Sequence, residues 1–366
     1  MAHIELIGIA KSFGTHSVLK DISLAVETGE IVVVFGASGT GKTALLRLIA
    51  GVEEPTRGSI AIGGMEMSGI PPEERDIGMA FQNFALFPHL SAYENVASPL
   101  RARGESKARI DERVHSVAEL LKIDHVLSHA PRELSNGQKQ RTALARALAA
   151  SPKLLLLDDP LRNVDAKLRF EMRLELPRLL RNAGSTVLYV TQDYKEAMAL
   201  ADRIAVIENG CFVQVGTPEE IYTLPATLAV ARLFGDPTIN LAEAAVSASG
   251  MTANIGTEAI ELGSNYGGAA GKTVTVGIRP EAVRLGASGR NIEAEVMAVT
   301  PLNERIVLLL KSKGNLEFLA SLPAAGVMAP SAESKLRVSF DPGGVHLFDP
   351  ETGLRLLPAQ AEERAA

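Results

Sequence analysis

Apolar residues in the first two thirds of the chain come as short unbroken runs. Glu30-Ile31-Val32-Val33-Val34-Phe35, Leu154-Leu155-Leu156-Leu157 and Ser185-Thr186-Val187-Leu188-Tyr189-Val190 each read as a strand buried on both faces. Between them lie longer stretches with charge at helical spacing, from Ser106 to Ile123 and from Lys167 to Arg181. Strand alternating with helix predicts an α/β sheet with helices packed around it. Glu105 to Arg113 intersperses both signs of charge and reads as a solvated helix face. After about Gly235 the pattern changes to short alternating segments between glycines, such as Lys272-Thr273-Val274-Thr275-Val276-Gly277 and Arg305-Ile306-Val307-Leu308-Leu309-Leu310. That change predicts a small all-β, barrel-like domain. Domains are therefore expected at 1–235 and 236–358, crossing at Asp236-Pro237-Thr238-Ile239-Asn240, with a frayed Ala- and Glu-rich tail at 359–366.

The length of 366 residues agrees with two domains. A hydrophobic content of 46% with 22% charged residues is ordinary for a soluble globular protein. The formal net charge of -6 gives no basic field for a phosphate backbone and argues against a nucleic-acid partner. No apolar run approaches bilayer length, and Met1-Ala2-His3-Ile4-Glu5 lacks the basic start and apolar core of a signal peptide. A cytosolic chain able to dock on a membrane complex is expected. The single cysteine, Cys211, sits in a predicted hairpin, Asn209-Gly210-Cys211-Phe212, and reads as a small packing residue.

The strand ending at Phe35 runs straight into Gly36-Ala37-Ser38-Gly39-Thr40-Gly41-Lys42-Thr43, and a helical pattern follows from Ala44 to Ile49. This is a P-loop in its required strand-loop-helix setting. Its glycines let backbone N–H groups curl around phosphates, the helix N-terminus adds positive potential, and Lys42 supplies a point charge. Thr43 is placed to ligate Mg²⁺ through its hydroxyl.

Further segments follow in a telling order: Ala80-Phe81-Gln82-Asn83, Leu86-Phe87-Pro88-His89-Leu90, Leu134-Ser135-Asn136-Gly137-Gln138-Lys139-Gln140-Arg141 and Leu157-Asp158-Asp159-Pro160. As a set, and over essentially the whole chain, they resemble the ATP-binding subunit of an ABC transporter. Gly216-Thr217-Pro218-Glu219-Glu220-Ile221-Tyr222, Gly277-Ile278-Arg279-Pro280-Glu281 and His346-Leu347-Phe348-Asp349 are similar to the importer branch with a C-terminal regulatory β domain, the maltose importer being its familiar member, which implies that the small all-β domain is OB/TOBE-like. Within that branch, Pro301-Leu302-Asn303-Glu304 lies where relatives contact regulators.

The resemblance implies ATP and Mg²⁺ as cofactors. It assigns Phe13 to stacking on adenine, Gly36, Ala37, Ser38, Gly39, Thr40, Gly41, Lys42, Thr43 and Ala44 to the phosphates, and Thr43, Gln82 and Asp158 to the metal shell. Ser135, Asn136, Gly137 and Gln138 would close over the γ-phosphate of a facing subunit, which implies a dimer. Asp159, Gln192 and Gln82 take the catalytic positions.

Four positions depart from the family pattern. Asp159 stands where a glutamate polarises the attacking water; the missing methylene withdraws the carboxylate by about 1 Å or more, a shift that can cost on the order of a hundredfold in rate. Gln192, in Val190-Thr191-Gln192-Asp193, replaces the switch histidine and cannot carry positive charge. Ala44 removes a hydroxyl contact to the α-phosphate worth about 1 kcal/mol. Asn136 replaces the first glycine of the signature loop, where its tolerance of left-handed backbone is expected to preserve function. The resemblance thus implies the energy-coupling ATPase of a carbohydrate or polyol importer, held by membrane permease subunits on the cytoplasmic face of the cell membrane and served indirectly by an extracytoplasmic solute-binding protein. The departures add a weakened site of its own and a competent partner ATPase subunit. The alternatives are a homodimer, including one for another solute such as a polyamine or inorganic anion, and a regulatory ATP-binding module with little turnover.

Overall fold

A computed structural model of the chain describes residues 2–286, 291–325 and 328–359, so all of the expected tail beyond Ala359 lies outside the described residues. Contacts divide the chain into two compact units, Met1–Pro218 and Glu219–Ala366.

The first unit contains β1 (Ala2–Phe13), β2 (His16–Glu27), β3 (Ile31–Phe35), α1 (Lys42–Ile49), β4 (Arg57–Ile62), β5 (Met65–Glu66), β6 (Ile77–Ala80), α2 (Ala92–Ala102), α3 (Lys107–Leu120), α4 (Asn136–Ala149), β7 (Leu154–Asp158), α5 (Ala166–Ala183), β8 (Thr186–Thr191), α6 (Tyr194–Leu200), β9 (Arg203–Glu208) and β10 (Cys211–Gly216). Ten strands form one sheet in the order β5-β4-β1-β2-β10-β9-β3-β8-β7-β6. The three predicted apolar strands are β3, β7 and β8, and every residue in them is buried. Their unbroken apolar runs go with their place inside the parallel part of the sheet, where β3 lies between β8 and β9 and β8 between β3 and β7, because parallel sheets are covered on both faces by the helices that connect their strands. On β2, with its antiparallel partner β1, residues instead alternate between buried and exposed.

Because β6, β7, β8 and β3 run parallel, their C-terminal ends open on one edge of the sheet. Gln82, Asp158, Gln192 and the P-loop all leave the sheet from that edge, where ligand sites of α/β folds collect. The two predicted helices are α3 and α5, and Cys211 opens β10 after a turn at Asn209 and Gly210, both at positive φ.

The second unit begins at the second residue of α7 (Pro218–Thr223) and continues through α8 (Leu228–Leu233), β11 (Asn240–Val246), β12 (Thr252–Ile255), β13 (Glu258–Glu261), β14 (Thr273–Ile278), β15 (Val283–Leu285), β16 (Ile292–Pro301), β17 (Arg305–Ser312), β18 (Glu317–Pro323), β19 (Lys335–Phe340) and β20 (Val345–Phe348). Two five-stranded sheets, β13-β12-β11-β14-β20 and β15-β19-β16-β17-β18, share a core that includes Val276, Val296, Leu308, Leu310, Val338 and Leu347. The short helices belong to this unit because buried Arg279 donates to the carbonyls of Tyr222 (2.8 Å), Ala231 (3.0 Å) and Phe234, and the Tyr222 ring stacks against its guanidinium.

Candidate nucleotide site

Two P-loop glycines are at positive φ, Gly39 at 82° and Gly41 at 98°. Gly36 is bare for a different reason. A Cβ there would sit 2.5 Å from the Ile207 carbonyl oxygen, so a side chain would collide with β9. A Cβ on Gly41 would sit 2.6 Å from Leu19. Lys42 folds back over the loop, donating to the carbonyls of Gly36 (2.8 Å) and Ala37 (2.7 Å), and Thr40 donates to Ala37 O as well (3.0 Å). Burial lowers the pKa of Lys42, with Asp159 and Asp158 pulling it back up. Ala44 lies in the first turn of α1.

Asp158 ends β7 with only 3% of its surface exposed, and burial raises its pKa against the lowering effect of the Thr43 hydroxyl, which donates to Oδ1 at 3.1 Å. A buried carboxylate and a hydroxyl converging beside a phosphate cradle fit a magnesium ion, whose remaining ligands would be phosphate oxygens and water. Asp159 comes next, in the left-handed region at φ 47°. Its backbone is held on both sides: its N–H donates to Val190 O at 2.9 Å and Gln140 Nε2 donates to its carbonyl at 2.9 Å. Gln140 Oε1 also accepts from Asn163 N at 3.0 Å, so one buried side chain fixes the whole turn after β7. Burial raises the pKa of the Asp159 carboxyl, while Arg162, 3.8 Å from Oδ2, lowers it.

Gln192 joins the P-loop to this carboxylate. Its Oε1 accepts from Ser38 Oγ at 2.8 Å and its Nε2 approaches Asp159 Oδ2 at 3.4 Å. Two of the four departures, Asp159 and Gln192, therefore meet each other, with one amide using both its ends inside the chain.

The other predicted residues lie around this centre. Phe13 closes β1 with 49% of its surface exposed and Lys11 Nζ 5.0 Å from its ring centroid, so it is not a core phenylalanine. Gln82 is half-buried just beyond β6. Ser135 caps α4 in a capping box: its hydroxyl accepts from Gln138 N (3.3 Å), and the Gln138 side chain accepts from Ser135 N (2.8 Å). The left-handed backbone that asparagine tolerates is not used at Asn136. Asn136 is the first residue of α4, where a side chain costs nothing in backbone geometry. A Cβ on Gly137 would meet Asn163 O at an ordinary 3.7 Å, so packing within the chain does not demand glycine there.

Sequence reasoning did not single out Gln140 or Arg162, nor the Ser38 bond to Gln192. For Gln140 a signal exists: it is a polar residue among the small apolar ones that α4 buries.

A P-loop, a buried strand-end carboxylate and a capped helix from the same chain define an ATP-binding domain of the P-loop class. The ABC transporter family profile matches residues 19–162, the MalK OB fold domain 235–283 and the TOBE domain 276–348. The sn-glycerol-3-phosphate import ATP-binding protein UgpC of Ruegeria sp. (strain TM1040) is 43% identical over 97% of this chain and 99% of its own length. The trehalose/maltose import ATP-binding protein MalK of Thermococcus litoralis is 40% identical over 96% of this chain and 99% of its own. A solved dimeric ATP-binding cassette, MJ0796 in a post-hydrolysis state with ADP and Pi, aligns with a TM-score of 0.55 and 30% identity, covering 59% of this chain and 98% of that one. The chain belongs to the ABC transporter import ATP-binding proteins that carry a C-terminal OB/TOBE domain, which are ATPases coupled to transport. Among the described residues, no helix is long and apolar enough to cross a membrane.

Proposed function

We propose that this chain is the energy-coupling subunit of an importer for a carbohydrate, polyol or polyol phosphate. It sits peripherally on the cytoplasmic face of the membrane and pairs with a second, different ATP-binding subunit that has an intact catalytic site. The names of the relatives support the cargo class, the permease partners and an external solute-binding protein. The observation that carries the asymmetric pairing is the Ser38–Gln192–Asp159 bridge, which ties the P-loop to a shortened base through a neutral amide.

In this reading Lys42, the P-loop amides and the N-terminus of α1 bind the phosphates, and Phe13 stacks on the base. Thr43, Asp158 and Gln82 would hold Mg²⁺, which when bound offsets phosphate charge. Asp159, pinned at its backbone by Gln140 and Val190, stops a methylene short of the water that a glutamate would polarise, and Gln192 spends its hydrogen bonds on Ser38 and Asp159. Binding is thereby favoured over turnover at this chain's own P-loop. The Ser135–Gln138 turn is free to serve the opposite site.

The test is the composition of the complex. The tagged chain, solubilised from membranes of its own organism, is expected with permease subunits and one copy of a distinct ATP-binding subunit. Two copies of this chain with no other ATP-binding subunit would overturn the pairing. Unchanged sugar and polyol uptake on loss of the gene would favour the regulatory module instead.

A further inference from the structure

The turn that follows Gln82 is held in an unfavourable shape. Phe84 and Ala85 are consecutive non-glycine residues at positive φ, 65° and 46°. Both carbonyls accept from one side chain, Arg146 of α4, with Nη1 to Ala85 O at 2.8 Å and Nη2 to Phe84 O at 3.3 Å. The same guanidinium lies 5.6 Å from the centroid of the Phe87 ring, which is 45% exposed. Among the described residues no carboxylate is paired with Arg146, so its hydrogen bonds go to this turn. The far side of the turn is fixed by fully buried Asn95, which accepts from Phe87 N (2.8 Å) and donates to the carbonyls of Phe87, Leu90 and Ser91. Arg146 and Phe87 also line an open groove of about 700 Å³ with Met79, Pro99 and Pro152.

Arg146 is on the helix whose N-terminus is the Ser135–Gln138 turn, ten residues and therefore about 15 Å away along a rigid rod. We propose that Arg146 is a positioning residue that transmits the position of α4 to the Phe84–Phe87 turn, so that movement at Ser135–Gln138 reaches the exposed Phe87 face. Asn95 anchors the turn to α2, and Arg146 is the handle by which α4 moves it. The strain at Phe84 and Ala85 suits this role, because a backbone held in a sparsely populated region relaxes once its restraint shifts. The inference rests on the transport reading, in which the segment Phe84-Ala85-Leu86-Phe87-Pro88-His89-Leu90, similar to the surface that receives a coupling helix in ABC transporters, faces a membrane subunit.

The experiment uses the assembled transporter in liposomes together with the purified chain. For Arg146→Ala, amide hydrogen exchange at 84–87 is expected to rise at least tenfold, and substrate-stimulated ATP turnover by the complex to fall at least tenfold. Affinity for a fluorescent ATP analogue should stay within twofold. Arg146→Lys, with one donor centre instead of a fork, should fall between. Adding Ala85→Gly, which accepts positive φ without strain, should restore part of the coupling to Arg146→Ala; a merely structural arginine would show no such rescue. Unchanged exchange at 84–87, or raised exchange with full stimulated turnover, overturns the proposal. If the wild-type complex itself shows no substrate-stimulated turnover, the transport reading fails, and the exchange arm still reports whether Arg146 holds the turn.

Discussion

Asp159 and Gln192 depart from the family pattern as a pair, and the pair is bonded. A glutamine at 192 is long enough to accept from Ser38 while its other end points at Asp159 Oδ2. Phe13 is exposed, so Phe13→Ala should leave the melting temperature unchanged and weaken ATP binding by about 1 kcal/mol, roughly fivefold, on the scale of an aromatic stacking contact. Calorimetric titration checks this, and unaltered affinity removes Phe13 from the site. Glu196 behaves differently. It is 1% exposed, it accepts from Tyr189 Oη (2.8 Å) and Thr191 Oγ1 (2.9 Å), and burial is the main reason its pKa rises to about 7. Its proton binds the folded chain more tightly than the unfolded one. The stability it contributes is therefore complete below the ordinary carboxylate pKa and is lost as pH rises through about 7. Glu196→Gln should flatten the fall in stability between about pH 5 and pH 8, which is on the order of 3 kcal/mol, in denaturant titrations; an unchanged slope would contradict the assignment. The P-loop turn and the strand end at Asp158 were legible from residue type and spacing, because each stands in a local motif, whereas the exposure of Phe13 at the end of β1 appears only in the fold. Gln140 was not, since its partners, Asp159 and Asn163, are brought to it only by tertiary folding.

At the level of elements, β3 and α1 explain two different demands for glycine. At Gly36 the obstacle is the backbone of Ile207, which cannot swing away, whereas at Gly39 no atom lies within 4 Å and only φ matters. Gly36→Ala should therefore cost about 2 to 3 kcal/mol of folding stability and Gly39→Ala only about 1 kcal/mol, measured by denaturant unfolding. Equal costs would mean that β9 yields. Helix α4 carries three polar duties along one rod: the cap at Ser135, Gln140 on the Asp159 turn and Arg146 on the Phe84 turn. Its sequence carries the cap as Ser-x-x-Gln, and because the capping box starts α4 at Asn136, asparagine's tolerance of left-handed backbone is not called on there. In the second unit, Arg279 satisfies three carbonyls at the ends of α7 and α8. Arg279→Met should destabilise that unit by about 2 to 4 kcal/mol and speed hydrogen exchange across 219–234; protected amides there would show that the helices dock without it.

For the whole molecule, parallel order in the sheet does most of the work. Four strands that run the same way deliver the P-loop, the two aspartates, Gln192 and Gln82 to one edge, although these residues span positions 36 to 192. The alternation of apolar runs and helices announced this class of sheet, and the glycine-punctuated pattern after residue 235 announced a β-rich second unit. The interdigitated order β10-β9-β3-β8-β7-β6 was not readable, because strand neighbours are chosen by packing between distant segments. Two units with separate cores give one chain both a nucleotide-binding half and a β-rich half. The central claim is that this chain binds ATP well and hydrolyses it poorly at its own P-loop. It is tested most directly by ATP turnover and ATP affinity of the purified chain beside the Asp159→Glu, Gln192→His double variant. The expected result is affinity within about threefold for both and turnover at least about tenfold faster in the variant. Turnover by the native chain already as fast as the variant's would contradict the claim and make a homodimeric motor the better description.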